Sequence, residues 1–375
     1  MQDELAQSSP SRKLSCNSFT LVEMLVTMAI LIIVLGIILQ LTTQIASVWK
    51  SSNARVQTFQ EARTGFEAMT RRLSQATLNT YYNYYYINAS GVGTLITPQN
   101  VGTYTANDYD RVSELHFISG KATTLLAASP TAITTQTQAV FFQAPVGYSV
   151  TYPEVDSSLN ACGYFLQFDA GTNSIPSYIV NSPTYKPRYR YRLMEMLQPT
   201  ENLGVYADTT TGLWFVNNAE SNCRILAENV VALVLLPKLP PSDDSSGTAL
   251  APAYNYNSRI PLGAASDPIW TGFPQDTFTA QTNSGTAVPL SRHHQLPPLM
   301  HVVMIVIDEP SAIRLQGSST TVPSAINFST LFTSATSLSS DLQTAVNQLN
   351  ATQPHLNYRI FTSDVIMRDA KWSNQ

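Results

Sequence analysis

Charged residues are scarce in this 375-residue chain, since Asp, Glu, Lys and Arg make up 12% of it, and the formal net charge is −4. No cluster of Lys and Arg stands out, which argues against nucleic acid as a partner because phosphates are bound by a basic surface. Cysteine is also rare, with three residues. The polarity comes from Ser, Thr, Asn, Gln and Tyr, and this composition favours an extracytoplasmic protein.

The sequence also lacks the short motifs of common enzyme sites: G-x-S-x-G, the Walker loop, G-x-G-x-x-G and zinc-binding cysteine pairs. His293-His294, with His301 nearby, has no Asp, Glu or Cys at metal-ligand spacing, so an exposed polar loop is favoured over a metal site. Asp243-Asp244 lacks the alternating ligands of a calcium loop. We therefore predict a protein that is not an enzyme and holds no metal or cofactor.

One long apolar run stands near the start of the chain. No residue between 24 and 39 is charged, and residues 19–39 provide about the twenty residues that a helix needs to cross a hydrocarbon core of ~30 Å. Glu23 is the one charge in the run, and a carboxylate near a bilayer centre costs roughly 2.5–3.5 kcal/mol. Glu23 is therefore either a functional group or a glutamate that reaches water at the interface.

The segment Ser18-Phe19-Thr20-Leu21-Val22-Glu23-Met24, followed by the apolar run, resembles the type IV prepilin signature. The resemblance implies that a prepilin peptidase cuts between Ser18 and Phe19 and methylates the new N-terminus at Phe19. The residue before the cut is usually Gly in that family, and here it is Ser18. Glu23 matches the family's glutamate at the fifth mature position. Its buried carboxylate would be compensated during assembly by the N-terminus of a neighbouring subunit.

Later segments resemble narrower groups of that family. Residues 61–63 and 66–76 are similar to the helix of J-type minor pseudopilins of type II secretion systems. Residues 60–82, with 357–362 and 370–372, are most like Verru_Chthon cassette protein C. The resemblance implies a minor pilin or pseudopilin that assembles with other pilin subunits into a type II secretion-like pseudopilus or a type IV pilus-like filament.

The fold class predicted is α+β, with a long N-terminal helix packed on an antiparallel sheet. A helix is expected to continue to about Leu78, because a mostly apolar stripe recurs at three- and four-residue spacing through Val56, Phe59, Arg63, Phe66, Met69, Leu73 and Ala76. Short apolar runs between turn-rich segments predict strands at 112–118, 139–143, 163–168, 188–196, 213–216, 229–236, 301–308 and 358–367.

These expectations divide the chain into four parts. They are a leader at 1–18, a transmembrane helix at 19–40, its amphipathic continuation at 41–80, and a β-rich head at 81–375 with a loop-rich insertion at about 237–298. The prepilin resemblance implies a single-pass inner-membrane protein with a cytoplasmic N-terminus and a periplasmic head.

Two features of the head leave alternatives open. In an oxidising compartment Cys162 and Cys223 would be the remaining pair, because Cys16 leaves with the leader, and either a disulfide or two buried thiols would result. The tyrosine-rich residues 81–86 would form an edge strand or a packed loop, or else an aromatic platform for a glycan. The platform belongs to a rival function, a membrane-anchored extracytoplasmic binding protein with an uncleaved N-terminus.

Overall fold

A computed structural model describes residues 20–87, 93–172, 175–207, 213–219, 221–242, 244–259, 279–281, 287–289, 294–317, 319–352 and 355–371. The chain divides into two compact units, Met1–Asn53 and Ala54–Gln375. The first unit contains the start of the long helix. The second contains the rest of that helix and the β-sheets.

The α-helices are α1 Leu21–Leu73, α2 Ala122–Leu125, α3 Ser177–Val180, α4 Gly204–Ala207, α5 Glu309–Gln316 and α6 Leu338–Ala351. The strands are β1 Tyr81–Ile87, β2 Gly93–Leu95, β3 Asp108–Val112, β4 Ile118–Lys121, β5 Gln138–Pro145, β6 Leu159–Asp169, β7 Arg190–Gln198, β8 Cys223–Glu228, β9 Val230–Lys238, β10 Tyr256–Asn257, β11 Thr279–Gln281, β12 Ala287–Pro289, β13 Leu299–Ile307 and β14 Tyr358–Ile366.

Every strand pairing among the described residues is antiparallel. The large sheet has six strands in the order β10-β4-β5-β6-β7-β8, and the small sheet has the order β14-β13-β9. A third sheet, called here the tyrosine sheet, has the order β2-β1-β3, and β11 pairs with β12. The predicted α+β class, with a long N-terminal helix and antiparallel sheets, is confirmed.

The core is centred on β9, whose residues from Val230 to Pro237 are all buried. The main chain of β9 also bonds to the segment that leads into β5. The Leu233 N–H donates to Thr137 Oγ1 at 3.1 Å, and Gln136 Nε2 donates to the Val231 carbonyl. These side chains satisfy backbone groups of β9, which would otherwise cost free energy inside the core.

The part of α1 within the second unit buries the later half of the predicted stripe, at Phe66, Met69 and Leu73, but differs from the prediction before Phe66. Its buried residues are Thr58, Ala62, Gly65, Phe66, Met69 and Leu73. Val56 is half exposed, and the Arg63 side chain is 70% exposed. Small residues occupy much of this stripe because the helix lies close to β8: a Cβ on Gly65 would lie 3.2 Å from Ala227 Cβ. The sequence pattern favoured large apolar residues and so missed this close approach.

Two buried carboxylates bind α1 to the sheets. Asp308, directly after β13, accepts a hydrogen bond from Arg55 Nε at 3.0 Å, and Glu195 of β7 accepts one from Arg72. Both carboxylate side chains are fully buried. The helix is therefore bonded to each of the two main sheets through an arginine, in addition to its apolar contacts.

The helix ends at Leu73 rather than near Leu78. The Thr77 N–H donates to the Gln143 carbonyl of β5 at 2.9 Å, so the chain has already left the helix there. Asn79 has φ 45°, a left-handed conformation that asparagine tolerates better than most residues. A contact with a distant strand therefore ends the helix, and the local sequence alone does not reveal it.

Most predicted strands are present, and two are wrong. Residues 113–117 connect β3 to β4, and residues 213–216 form no strand although Trp214 and Phe215 are buried. Phe215 stacks on Phe141 with the ring centroids 3.9 Å apart, so this apolar run covers the sheet rather than joining it. The half-buried edge strand β8 was missed because its sequence mixes Cys, Arg, Ala and Glu with two apolar residues.

The beginning of the predicted loop-rich insertion belongs to the core. Tyr254 and Tyr256 are fully buried, and Tyr256 of β10 pairs with Ser119 of β4. Within the part of the insertion beyond Arg259, residues 260–278, 282–286 and 290–293 lie outside the described residues.

A glycine in the large sheet gives a test of this packing. Gly163 lies opposite Phe141, and a Cβ at Gly163 would lie 2.3 Å from Phe141 Cδ1. The ring is held by its stack on Phe215. We expect Gly163→Ala to lower the free energy of unfolding by about 2 kcal/mol, because overpacking forces side chains out of their preferred positions.

Urea denaturation of the chain in detergent micelles measures this change. Gly102→Ala is the matched control, since a Cβ at Gly102 would meet nothing within 4 Å. The control should stay within about 0.5 kcal/mol of the wild type. Equal stability of the two variants would show that Phe141 has room to move.

Candidate processing and assembly site

The first described turn of α1 is closed by a reciprocal pair of side chains. Glu23 Oε2 accepts hydrogen bonds from the Thr20 N–H at 3.1 Å and from Thr20 Oγ1 at 3.2 Å. In return, Thr20 Oγ1 accepts one from the Glu23 N–H at 3.3 Å. This is a capping box, which satisfies backbone donors that the helix start leaves without partners.

Glu23 therefore has a local role that sequence reasoning missed. The pattern Thr-x-x-Glu before an apolar run is the signal that would have predicted it. A carboxylate in the first turn also interacts favourably with the positive end of the helix dipole. Glu23 Oε1 accepts no hydrogen bond from the described residues.

The helix continues into an apolar segment with exposed side chains. Every Leu, Ile, Val and Met from Leu21 to Leu41 is about half exposed or more. Among the described residues this is the one helix that is long and apolar enough to cross a membrane, judged by length and composition. Apolar surface of this extent is stable in lipid or against other helices, and not in water.

The remaining residues of the predicted cleavage site, Ser18 and Phe19, lie outside the described residues, which begin at Thr20. The structure therefore gives the geometry of Glu23 and of the helix start, and the peptide bond between Ser18 and Phe19 stays a prediction.

A family model matches the N-terminal part of the chain. Residues 13–39 match the family model of the prokaryotic N-terminal methylation motif. The matched range includes Ser18, Phe19, Glu23 and most of the apolar segment. No curated protein and no solved structure matches the chain.

The methylation motif supports the prepilin-type resemblance at the N-terminus. Together with the exposed apolar helix, it supports anchoring of the chain in a membrane. The motif does not extend into the head, so the resemblance of residues 60–82 to J-type pseudopilins and to Verru_Chthon cassette protein C stays a prediction.

The two cysteines of the head lie on different strands of the large sheet. Cys162 of β6 pairs with Leu197, and Cys223 of β8 pairs with Met196, so β7 lies between them. Strands that are two positions apart in a sheet lie ~9.6 Å from each other, which is farther than the Cα–Cα distance that a disulfide can bridge. Cys162 is a free, fully buried thiol, and burial raises its pKa to about 12. Cys223 Sγ donates to the Ala219 carbonyl.

Alkylation tests this arrangement. Without reductant, the native protein should leave Cys162 unmodified by iodoacetamide, because the thiol is buried and stays protonated at neutral pH. After unfolding in urea, still without reductant, both Cys162 and Cys223 should be modified, as measured by peptide mass spectrometry. Modification that appears only after reduction would instead establish a disulfide.

The histidines and aspartates singled out in the sequence make structural contacts. His301 Nδ1 lies 2.6 Å from Asp364 Oδ1, across the β13–β14 pair. Asp244 closes a turn by accepting hydrogen bonds from the Ser246 and Ala249 N–H groups. Burial would raise the pKa of Asp244, but the hydrogen bond from the Ser246 hydroxyl, together with these N–H groups, outweighs burial and lowers it. His293 and Asp243 are outside the described residues.

No group of three or more His, Cys, Asp or Glu side chains able to hold a metal occurs in the part of the chain that the structure describes.

The tyrosine-rich segment forms β1, the middle strand of the tyrosine sheet and not an edge strand. Strand alternation places Tyr82, Tyr84 and Tyr86 on one face. Tyr82 and Tyr84 are about half exposed, and the Arg111 guanidinium lies 5.9 Å from the Tyr82 ring centre. The sheet thus presents aromatic rings and a cation to the surface.

Proposed function

We propose that this chain is a prepilin-type structural subunit. In this proposal a prepilin peptidase removes residues 1–18 by cutting between Ser18 and Phe19 and then methylates Phe19. Residues 19–40 hold the subunit in the inner membrane with the N-terminus in the cytoplasm. The helix continues to Leu73, and residues 81–375 form the periplasmic head.

The subunit then joins other pilin subunits in a type II secretion-like pseudopilus or a type IV pilus-like filament. The resemblance to J-type pseudopilins and the large head favour a minor subunit at a filament tip, because a bulky head hinders packing along a shaft. The observation that carries the proposal is the methylation motif at 13–39, followed by an apolar helix with exposed side chains.

The chemistry proposed for Glu23 follows from the geometry of the helix start. Oε2 is engaged by Thr20, and Oε1 accepts nothing from the described residues. Cleavage creates a positively charged amine on each neighbouring subunit. When this amine pairs with the Glu23 carboxylate in the apolar interior of the filament, neither charge is left buried without a partner. Because an unpaired buried charge is costly, the pairing favours the one stagger between subunits that brings the two groups together.

Mass spectrometry of the N-terminus, on protein purified from its own membranes, tests the processing step. We expect a mature chain that begins at N-methyl-Phe19. An intact Met1 in cells with an active prepilin peptidase would contradict the proposal, and it would show that Ser18 prevents cleavage.

The tyrosine sheet favours a second candidate function. A membrane-anchored binding protein with an uncleaved N-terminus could use Tyr82, Tyr84 and Arg111 to recognise a glycan, since rings stack on apolar sugar faces and a guanidinium donates to hydroxyls. In that case the intact terminus would be found, and Tyr84→Ala would abolish glycan binding without changing membrane retention.

A further inference from the structure

The uncharged part of α1 is longer than the predicted transmembrane segment. No Asp, Glu, Lys or Arg lies between Glu23 and Lys50. At 1.5 Å per residue this separation corresponds to ~40 Å of helix, whereas the hydrocarbon core measures ~30 Å and the bilayer with its headgroups ~40–45 Å. The uncharged stretch therefore matches the whole membrane rather than the hydrocarbon core alone.

Beyond Leu39 the helix becomes two-sided. Leu41, Ile45, Val48 and Trp49 recur at three- and four-residue spacing and share one face, and all four are more than half exposed. The rest of the circumference carries hydroxyl, amide and ammonium groups, with Thr42 and Gln44 at the borders of the apolar face and Gln40, Thr43, Ser47, Lys50 and Ser51 further round. The apolar surface thus continues past the predicted span as a single stripe.

The hydroxyl groups on the polar side are already satisfied within the helix. Thr42 Oγ1 donates to the Ile38 carbonyl, Thr43 Oγ1 to the Gln40 carbonyl and Ser47 Oγ to the Gln44 carbonyl, each at 2.8 Å. Internal hydrogen bonds lower the cost of placing these groups where water is scarce. This part of the helix is therefore compatible with the boundary of a membrane on both of its sides.

We propose that the membrane contact of α1 extends to Trp49 and Lys50, and that the stripe of Leu41, Ile45, Val48 and Trp49 is covered by lipid. If the hydrocarbon core begins at Met24, after Glu23, it ends ~30 Å later near Gln44. Trp49 then lies ~7.5 Å further on, in the headgroup layer opposite Glu23.

The chemistry of the two residues suits this position. An indole has a large apolar surface and one N–H donor, and tryptophan is enriched at membrane–water interfaces for that reason. The Lys50 amine reaches lipid phosphates from its flexible stem. An apolar stripe on one side suits a tilted helix, because tilting brings that side closer to the hydrocarbon. Interfacial Trp and Lys residues help to set the tilt.

The inference rests on insertion of α1 in a membrane and does not depend on cleavage or filament assembly. The test uses the full chain in phosphatidylcholine vesicles at low protein-to-lipid ratio, with retention after an alkaline wash as the separate measure of insertion. Lipids brominated near the headgroup end or near the methyl end of the acyl chain quench nearby tryptophan. The difference in emission between the wild type and Trp49→Phe isolates the Trp49 signal.

We expect the Trp49 emission to be quenched more strongly by bromine near the headgroup end than by bromine near the methyl end. In the matched control, Trp49→Phe with Ser47→Trp, the indole moves to the polar side, where it should be quenched less than at position 49 and emit at longer wavelength. Absence of Trp49 quenching in retained protein would overturn the proposal. Trp49 quenching that appears only when the protein-to-lipid ratio is lowered further would also overturn the proposal. It would show that at the higher ratio a second copy of the protein, and not lipid, covers the stripe.

Discussion

Glu23→Gln is expected to reduce incorporation into filaments about 100-fold while the protein remains in the membrane. The substitution removes the charge that would compensate the N-terminal amine of a neighbouring subunit. Leaving one partner of a buried ion pair uncompensated costs about 3 kcal/mol, which corresponds to about 100-fold in affinity. The measurement is the fraction of the subunit in sheared filaments against the fraction in membranes.

Glu23→Gln changes the charge of the side chain while the capping box at the helix start can be kept. Glutamine is also accepted at the third helical position of a capping box, so the amide oxygen of the new side chain can still accept from the Thr20 N–H. Thr20→Val is the complementary control, since it removes the hydroxyl that accepts from the Glu23 N–H and keeps the carboxylate. We expect it to cost about 1 kcal/mol at the helix start and to leave incorporation near the wild-type level.

Membrane insertion separates assembly from anchoring in the same experiment. A neutral amide costs less than a carboxylate in hydrocarbon, so the Glu23→Gln variant should resist alkaline extraction as well as the wild type. Wild-type incorporation of this variant would limit Glu23 to its role in the helix start. A loss with Thr20→Val equal to that with Glu23→Gln would point to the cap rather than to the charge.

Glu195→Gln is expected to lower the free energy of unfolding by about 3 kcal/mol. Glu195 is fully buried in β7 and binds three side chains: Arg72 of α1, Arg224 of β8 and the Tyr164 hydroxyl, the last at 2.8 Å. Burial and the Glu195 carboxylate raise the pKa of Tyr164, so this phenol stays protonated and donates. Loss of the negative charge leaves two arginines without their common partner.

The expected cost lies at the low end for a broken buried pair because both arginines reach solvent in part. The Arg72 side chain is 24% exposed and the Arg224 side chain 56% exposed. Glu67→Gln is the matched control, since the Arg63–Glu67 pair lies on the exposed surface of α1. It should cost about 0.3–0.5 kcal/mol. Urea unfolding in detergent micelles, followed by circular dichroism, measures both, and equal small losses would contradict the role assigned to Glu195.

The elements that could be predicted from the sequence are those with strong local patterns. The apolar helix and the buried strands β9 and β13 are present where hydrophobic patterning placed them. The candidate site residues were predicted only in part. Glu23 was identified from its charge within an apolar run, but its capping partner Thr20 was overlooked although the pattern was local.

The failures share one physical cause, which is contact between residues distant in sequence. At Gly65, α1 lies close to β8. The Thr77 N–H bonds to the Gln143 carbonyl where the helix ends. Residues 213–216 pack on the sheet instead of joining it, because Phe215 stacks on Phe141. None of these partners can be recognised from spacing or composition, because each lies on another element.

By itself, the sequence determined that this chain has a membrane-length apolar helix bearing a prokaryotic N-terminal methylation motif and an antiparallel β-rich remainder. Periodicity and charge suffice for such features because each is encoded within a few adjacent turns. Only the tertiary structure decided that α1 approaches β8 closely at Gly65, that Arg55 and Arg72 bind buried carboxylates, and that β7 separates Cys162 from Cys223. These depend on strand order and packing, which bring together residues that the chain keeps far apart.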